Sequence, residues 1–323
     1  MSDLQQDPDQ VIRIGISACL LGHKVRFDRG HKQDHYLTDT LGRYFQWVHV
    51  CPEVQFGLSI PRPPIRLEAK NGEVRMIVPK EGKDLTEAFR TYAKSQVEAL
   101  DKEHLCGYVL KKNSPSCGME RVKVYPPSGM PLRTGRGLYA KELLARYPNL
   151  PVEEEGRLHD PALRENWVTR VFTYHRLHMF WKSSWKVGDL INFHRTHKLL
   201  LLAHSPEAYE QLGRVVARAK ALSRNDLRVN YENKVMAALA KMATPAKNTN
   251  VLQHIMGHFK KDLDHEAKRE LLDHIEDYRH GLVPLVVPLT LVAHYVRLLK
   301  ITYLENQVYL TPHPKELALR SRM

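Results

Sequence analysis

The residues best suited to chemistry in this 323-residue sequence are its four cysteines, Cys19, Cys51, Cys106 and Cys117. Thiolates are soft donors, and several of them gathered at one point suit zinc or an iron–sulfur cluster. Their positions are more telling than their number. Cys19 follows an apolar run at 11–16, Cys51 ends a second run at 47–50, and Cys117 lies in the loop after a third at 105–110. If these runs are strands of one open parallel sheet, the three cysteines meet in the crevice beyond the strands' carboxyl ends, where such sheets bind ligands. Cys106 begins the third run instead, so it is expected below that crevice as a packed thiol, a common state for free cysteine. The intervals, 31 residues between the first pair and 65 between the second, match neither a zinc ribbon nor a ferredoxin signature. On spacing alone the metal stays open, and scattered structural cysteines are the alternative. The first ten residues are polar and acidic rather than a secretory signal, which argues for a reducing, cytoplasmic setting and against disulfides.

The elements that must position these thiols alternate. Helical patterns at 36–45, 84–100 and 135–147 separate the apolar runs, and Asp84-Leu85-Thr86-Glu87 reads as a capping box. Strands alternating with helices predict an α/β N-terminal domain, Rossmann-like, with a mostly parallel sheet. A Pro-, Gly- and Glu-rich stretch at 147–160 reads as a linker. Beyond it the pattern is helical nearly throughout, with breaks at Ser205-Pro206, Thr244-Pro245 and 281–284. The expected division is therefore 1–156 and 157–323, with six or seven helices making an all-α C-terminal domain. The longest apolar run, 281–293, is too short for a bilayer and contains Pro284 and Pro288, so no membrane is expected.

Local sequence around the cysteines is distinctive. It comprises Ser17-Ala18-Cys19-Leu20-Leu21-Gly22, then Cys51-Pro52-Glu53, then Asn113-Ser114-Pro115-Ser116-Cys117-Gly118. In order and residue type these segments resemble the thiouracil desulfidase family. Residues 157–323, through Phe193-His194-Arg195-Thr196-His197-Lys198, Asn250-Val251-Leu252-Gln253-His254 and Thr311-Pro312-His313-Pro314, resemble the helical domain of YbgA-type proteins. The fusion is similar to the bacterial tRNA 4-thiouridine desulfidases. That resemblance implies a 4Fe-4S cluster on Cys19, Cys51 and Cys117, and places Glu53 and Ser114 at the family's catalytic positions. A cluster with three protein ligands leaves one iron open as a Lewis acid, suited to the soft sulfur of a thiocarbonyl. The implied reaction is a non-redox hydrolysis of 4-thiouridine in tRNA to uridine, with sulfide leaving on that iron and Glu53 as general base. It needs no nicotinamide or flavin. A carboxylate that only orients its neighbours is the alternative for Glu53, and a loop cap for Ser114. Ser17, Arg26, Arg62 and Lys111 are read as contacts to ribose or phosphate, or else as structural donors.

The formal net charge is +13, divided as +3 over residues 1–155 and +10 over 156–323. A basic half suits a polyanion, because each neutralised phosphate releases counterions. Arg195, Lys198 and Lys247 are the chosen RNA contacts. Two further readings stay beside the tRNA enzyme: a desulfidase of free thiouracil or its nucleotides, and a non-enzymatic RNA-binding protein with a structural metal.

Overall fold

A computed structural model describes residues 11–321, and the polar N-terminal segment used above lies outside them. The chain divides into two compact units, one ending at Asp160 and the other starting at Pro161. In the first unit the strands are β1 (Arg13–Ser17), β2 (Gln46–Val50), β3 (Arg66–Lys70), β4 (Glu73–Val78), β5 (Lys83–Asp84), β6 (Gly107–Leu110), β7 (Val122–Tyr125), β8 (Leu132–Gly135) and β9 (Val152–Glu154). Its helices are α1 (Pro52–Gln55), α2 (Thr86–Ala99) and α3 (Leu138–Arg146).

The three expected strands, β1, β2 and β6, lie side by side in a wholly parallel sheet of order β2-β1-β6-β9, with β1 and β6 at its centre. From β1 the chain first steps to β2 on one side, then returns to place β6 on the other. The order reverses between β1 and β6, and this switch point is where an open α/β sheet leaves room for a ligand. β1 is central, and Ile14 and Ile16 on it are fully buried. Gly15 between them lies under the Tyr108 ring of β6, where a Cβ would come within 2.2 Å of the ring. α2 buries Phe89, Ala93 and Val97, one face at four-residue spacing, and packs against α3.

Three expectations for this unit need correction. The stretch 147–160 is not a linker: it contains β9, the fourth strand of the parallel sheet, whose Val152 is buried on Tyr108. Its glutamates disguised it, and their use emerges below. The pattern at 36–45 yields a π-turn at Tyr36–Thr40 and a 3-10 turn at Leu41–Arg43 rather than an α-helix. Asp84 accepts from Thr86 N at 2.9 Å, but no reciprocal side-chain cap forms at the start of α2. In addition, a second sheet of order β5-β4-β3-β7-β8, mainly antiparallel, was not foreseen. Its β3–β4 hairpin turns on Asn71-Gly72, both at positive φ (54° and 78°), the conformation that favours this dipeptide in tight hairpins.

The second unit is helical: α4 (Pro161–Lys182), α5 (Val187–His204), α6 (Pro206–Ala217), α7 (Arg224–Ala240), α8 (Pro245–His258), α9 (His265–Arg279), α10 (Val286–Leu298) and the single turn α11 (Thr302–Glu305). Seven of these exceed two turns, and the three breaks fall where expected. Ser205, Ser223, Thr244 and Asp264 cap the helices that follow them with side-chain oxygens. No helix among the described residues is long and apolar enough to cross a membrane.

This unit buries imidazoles. Burial lowers His194, His204 and His313 to about 4 and His197 to about 3. An unfolded histidine titrates near 6.5, so between these values the unfolded chain holds protons that the native one refuses. Stability is therefore complete above about pH 6.5 and falls as the pH drops toward 4, by about 1.4 kcal/mol per pKa unit per histidine. Thermal melts followed by tryptophan fluorescence, to which this unit contributes Trp167, Trp181 and Trp185, should show a falling Tm between pH 6.5 and 4.5. A flat Tm over that range would refute the assignment.

Candidate active site

Beyond the carboxyl ends of β1, β2 and β6 lies a cavity of about 390 Å³, and Cys19, Cys51 and Cys117 all line it. Cys19 sits on the 3-10 turn Ala18–Leu21 that ends β1, and Cys51 directly precedes α1. Cys117 sits in the loop after β6, between Asn113 at φ 59° and Gly118. Cys106 does not line the cavity; its sulfur lies 3.9 Å from His104 O at the other end of β6, as expected.

The Cys117 loop is held backbone to backbone. α3 starts against it, with Leu138 N and Ala140 N donating to Pro115 O and Ser116 O at 3.1 Å each. Gly137 N donates to Gly118 O at 2.8 Å. A Cβ on Gly137 would stand 2.3 Å from Ser116 O, so the approach admits only glycine. Two glutamates of the supposed linker hold the loop's flanks. Glu155 accepts from Lys112 N at 2.8 Å and pairs with the Lys111 ammonium, while Glu154 accepts from Met119 N at 2.7 Å. Burial pushes the Glu154 carboxyl up.

Glu53, on α1, faces the cavity with each carboxylate oxygen engaged. Oε1 accepts from Ser116 Oγ at 2.6 Å, and Oε2 accepts from both Nε and Nη2 of Arg62. Ser116 Oγ also lies 2.9 Å from Ser114 Oγ. Since the Ser116 proton goes to Glu53, Ser114 donates to Ser116. Ser114 Oγ in turn accepts from Ser116 N at 3.3 Å and Cys117 N at 3.1 Å. The result is a directed chain, Ser114 to Ser116 to Glu53, with Arg62 behind it. Ser116 is fully buried and was passed over in the sequence, although it stands within the Ser-Pro-Ser-Cys motif.

All nine residues expected in the first unit line this one cavity, but several have different employment. Arg62 is only 4% exposed and spends its remaining N–H groups on Ser59 O and Val25 O, so it positions Glu53 and is not open to ribose or phosphate. The Lys111 charge is matched by Glu155. Ser17 Oγ accepts from Lys111 N at 3.0 Å, tying β1 to β6 across the switch point, and hydrogen-bonds Cys117. Ser114 caps the loop. Arg26 is partly exposed and paired with Asp28 at 3.4 Å, which leaves it the most accessible cation of the four substrate candidates. In the helical unit, Lys247 donates to His204 O at 2.8 Å and Met242 O at 3.0 Å, closing two carbonyls rather than facing a ligand.

Burial pushes the thiols up: Cys19 to about 11, with Cys51 and Cys117 also raised. Against this, Lys111 and Arg26 favour the Cys19 thiolate, and the Ser17 hydroxyl favours that of Cys117. Buried, mutually repelling thiols are costly to ionise without a cation among them, and metal binding supplies that cation. No group of three His, Cys, Asp or Glu among the described residues closes on a single metal ion. A zinc ion draws its sulfurs to about 2.3 Å, whereas a cluster presents irons at separate corners. Three thiols spread around one cavity, with no fourth lining it, fit the cluster better.

Two family models match separate stretches of the chain. The family model for 2-thiouracil desulfurase matches residues 14–155, and a family of unknown function, DUF1722, matches 198–314. The uncharacterized protein YbgA of Escherichia coli (strain K12) is 34% identical over 154 residues, 47% of this chain and 91% of its own length. The uncharacterized protein YbbK of Bacillus subtilis (strain 168) is 29% identical over 150 residues, 45% of this chain and 97% of its own. Among solved structures, a 4Fe-4S-dependent thiouracil desulfidase, TudS, shares 31% identity over 46% of this chain and 94% of its own, with a TM-score of 0.38.

Proposed function

We propose a substrate and a cofactor for this chain, which belongs to the YbgA family and carries a 2-thiouracil desulfurase domain over residues 14–155: it is a desulfidase that uses a 4Fe-4S cluster to remove sulfur from 4-thiouridine in tRNA. The carrying observation is the cavity at the β1–β6 switch point, where three thiols and an anchored carboxylate face one another. Cys19, Cys51 and Cys117 would hold the cluster. When bound, it supplies an iron without a protein ligand, a Lewis acid for a thiocarbonyl sulfur.

The chain's own residues do the rest. Glu53 presents a carboxylate, 16% exposed, at the cavity wall, where it takes a proton from the water that attacks the ring carbon. Arg62 and Ser116 fix that carboxylate from behind, one on each oxygen, so it is preorganised before substrate arrives. Ser114 and Ser17 hold the backbone that carries Cys117 and Lys111, and Arg26 is the open cation at the cavity wall for the nucleotide phosphate. A volume of about 390 Å³ is of nucleoside scale and takes one base drawn out of its stack. The basic helical unit, through Arg195 and Lys198, holds the RNA; Lys247 supports the fold around them.

A second reading is a desulfidase of free thionucleotides, for which the cavity in the first unit holds the thiols and Glu53 without any residue of the helical unit. The protein purified without oxygen and given thiolated tRNA or free 4-thiouridine monophosphate decides between them. We expect kcat/KM on tRNA to exceed that on the monophosphate by at least about 10²-fold, the gain that binding outside the reacting base supplies. The opposite ranking would assign the enzyme to free nucleotides.

A further inference from the structure

Two grooves in the helical unit share one residue, Arg195 of α5. The first is lined by apolar Ile191 and Val216 together with Lys198, Arg218 and Lys220. The second is lined by His175, Arg176, Phe193 and Thr196. Neither groove has an aspartate or glutamate in its lining. Arg195 hydrogen-bonds only a neutral partner with its side chain, Asn192 at 2.9 Å, and the Lys198 ammonium lies 5.7 Å above the Tyr209 ring. Elsewhere on this protein cations are commonly paired, as Arg214 is with Glu210 and Arg279 with Glu276. Arg218 and Lys220 stand at the carboxyl end of α6, where helix polarity alone favours a cation. Arg195 and Lys198 stand mid-helix, where nothing of that kind applies.

Positive charge also accumulates beneath the surface. Arg176 is largely buried; one amino group donates to Pro312 O at 2.6 Å, and the other has no hydrogen-bond partner. No carboxylate among the described residues offsets it, and burial lowers it to about 10. The charged neighbours that perturb His194 and His197 are Lys198, Arg176 and another imidazole. Beside Arg195, the half-buried Phe193 ring stacks at 4.0 Å on His197, so it is a fixed aromatic surface within the groove.

We propose that the face of α5 centred on Arg195 is the docking surface for an RNA phosphodiester backbone, with Lys198, Arg218 and Lys220 on phosphates. The inference rests on the tRNA reading and gives it a place. RNA suits the surface better than a lipid bilayer does, because cations from α5 and from the end of α6 line one groove, while the lone exposed Ile191 is too little apolar surface to anchor in a bilayer. Counterion release makes such contacts additive in the salt dependence of binding.

The test is fluorescence anisotropy of labelled tRNA with the whole anaerobic protein over a range of salt. The triple variant Arg195→Glu/Lys198→Glu/Lys220→Glu should bind at least about 30-fold more weakly, with a salt slope lower by about 2 to 3. The corresponding triple glutamine variant should show a smaller loss of the same kind, and it serves if the charge reversal disturbs folding as seen by circular dichroism. Lys260→Glu/Lys261→Glu, an exposed pair between α8 and α9, should leave affinity within about 2-fold. Wild-type tRNA binding that the triple variants retain, or that the Lys260/Lys261 pair loses equally, overturns the docking surface and leaves the tRNA reading standing. A wild-type protein that ignores tRNA, or that binds only vesicles of anionic phospholipid, overturns both.

Discussion

Cys51→Ser should yield a colourless protein without iron and without desulfidase activity, while Cys106→Ser keeps both at the wild-type level. The contrast follows from placement. Cys51 shares its cavity with Cys19 and Cys117, each thiol being close enough to disfavour ionisation of a neighbour. Cys106 sits at the opposite end of β6. Serine is nearly the size of cysteine but is a hard, weakly acidic donor, so a cluster bound through two thiolates is lost rather than weakened. Iron and acid-labile sulfide, quantified on protein prepared without oxygen, give the measurement. Iron lost from Cys106→Ser would mean that a fourth thiol belongs to the site. Iron kept by Cys51→Ser would dissolve the proposed ligand set.

Glu53→Gln should retain iron and lower kcat by about 10²- to 10⁴-fold, the range that a positioned general base supplies. Glutamine keeps the shape and one acceptor for Arg62, so the cavity should survive, but it cannot take a proton from water. The charge of Arg62 then lies buried without its partner. Because breaking a buried pair costs about 3–5 kcal/mol, a lower Tm should accompany the kinetic loss. Arg62→Met separates the two effects: it destabilises by a similar amount while leaving the carboxylate, so its kcat should fall less than that of Glu53→Gln. Single-turnover rates and thermal melts on both variants provide the comparison. A Glu53→Gln rate within 10-fold of wild type would remove Glu53 from the chemistry and leave it as a brace for the Ser116 loop.

What could be read from the sequence follows from how each residue is used. The apolar strands β1 and β6 are legible because a central parallel strand is buried on both faces, which leaves a continuous hydrophobic signature, whereas the edge strand β2, which buries only Val50, shows through its short run at 47–50. The second sheet is not legible, since β3 reads Arg-Leu-Glu-Ala-Lys and fully buries only Leu67 of its five residues. Its one plain signal was the Asn71-Gly72 turn. That Cys19, Cys51 and Cys117 line one cavity is legible from their position after strands, whereas Glu53 stands out only through the family resemblance of its motif. For Arg62 the sequence left two readings open, a contact to ribose or phosphate and a structural donor. Only the fold shows it turned inward to two carbonyls and a carboxylate. Ser116 differs from Ser114 by nothing local. Their roles separate once the loop is closed and one hydroxyl points at Glu53.

The placement of β9 has a consequence for modularity. The last stretch before the division at Asp160 is already committed to the metal-binding end of the first unit, through Glu154 on one flank of the Cys117 loop and Glu155 on the other. Gene fusion or proteolytic severing just past Asp160 would therefore leave the desulfurase module whole. A cut only ten residues earlier would remove β9 and unclasp the loop. The seam between the two modules is narrow, and the stretch of chain that looks most dispensable in the sequence is the one the catalytic end can least spare.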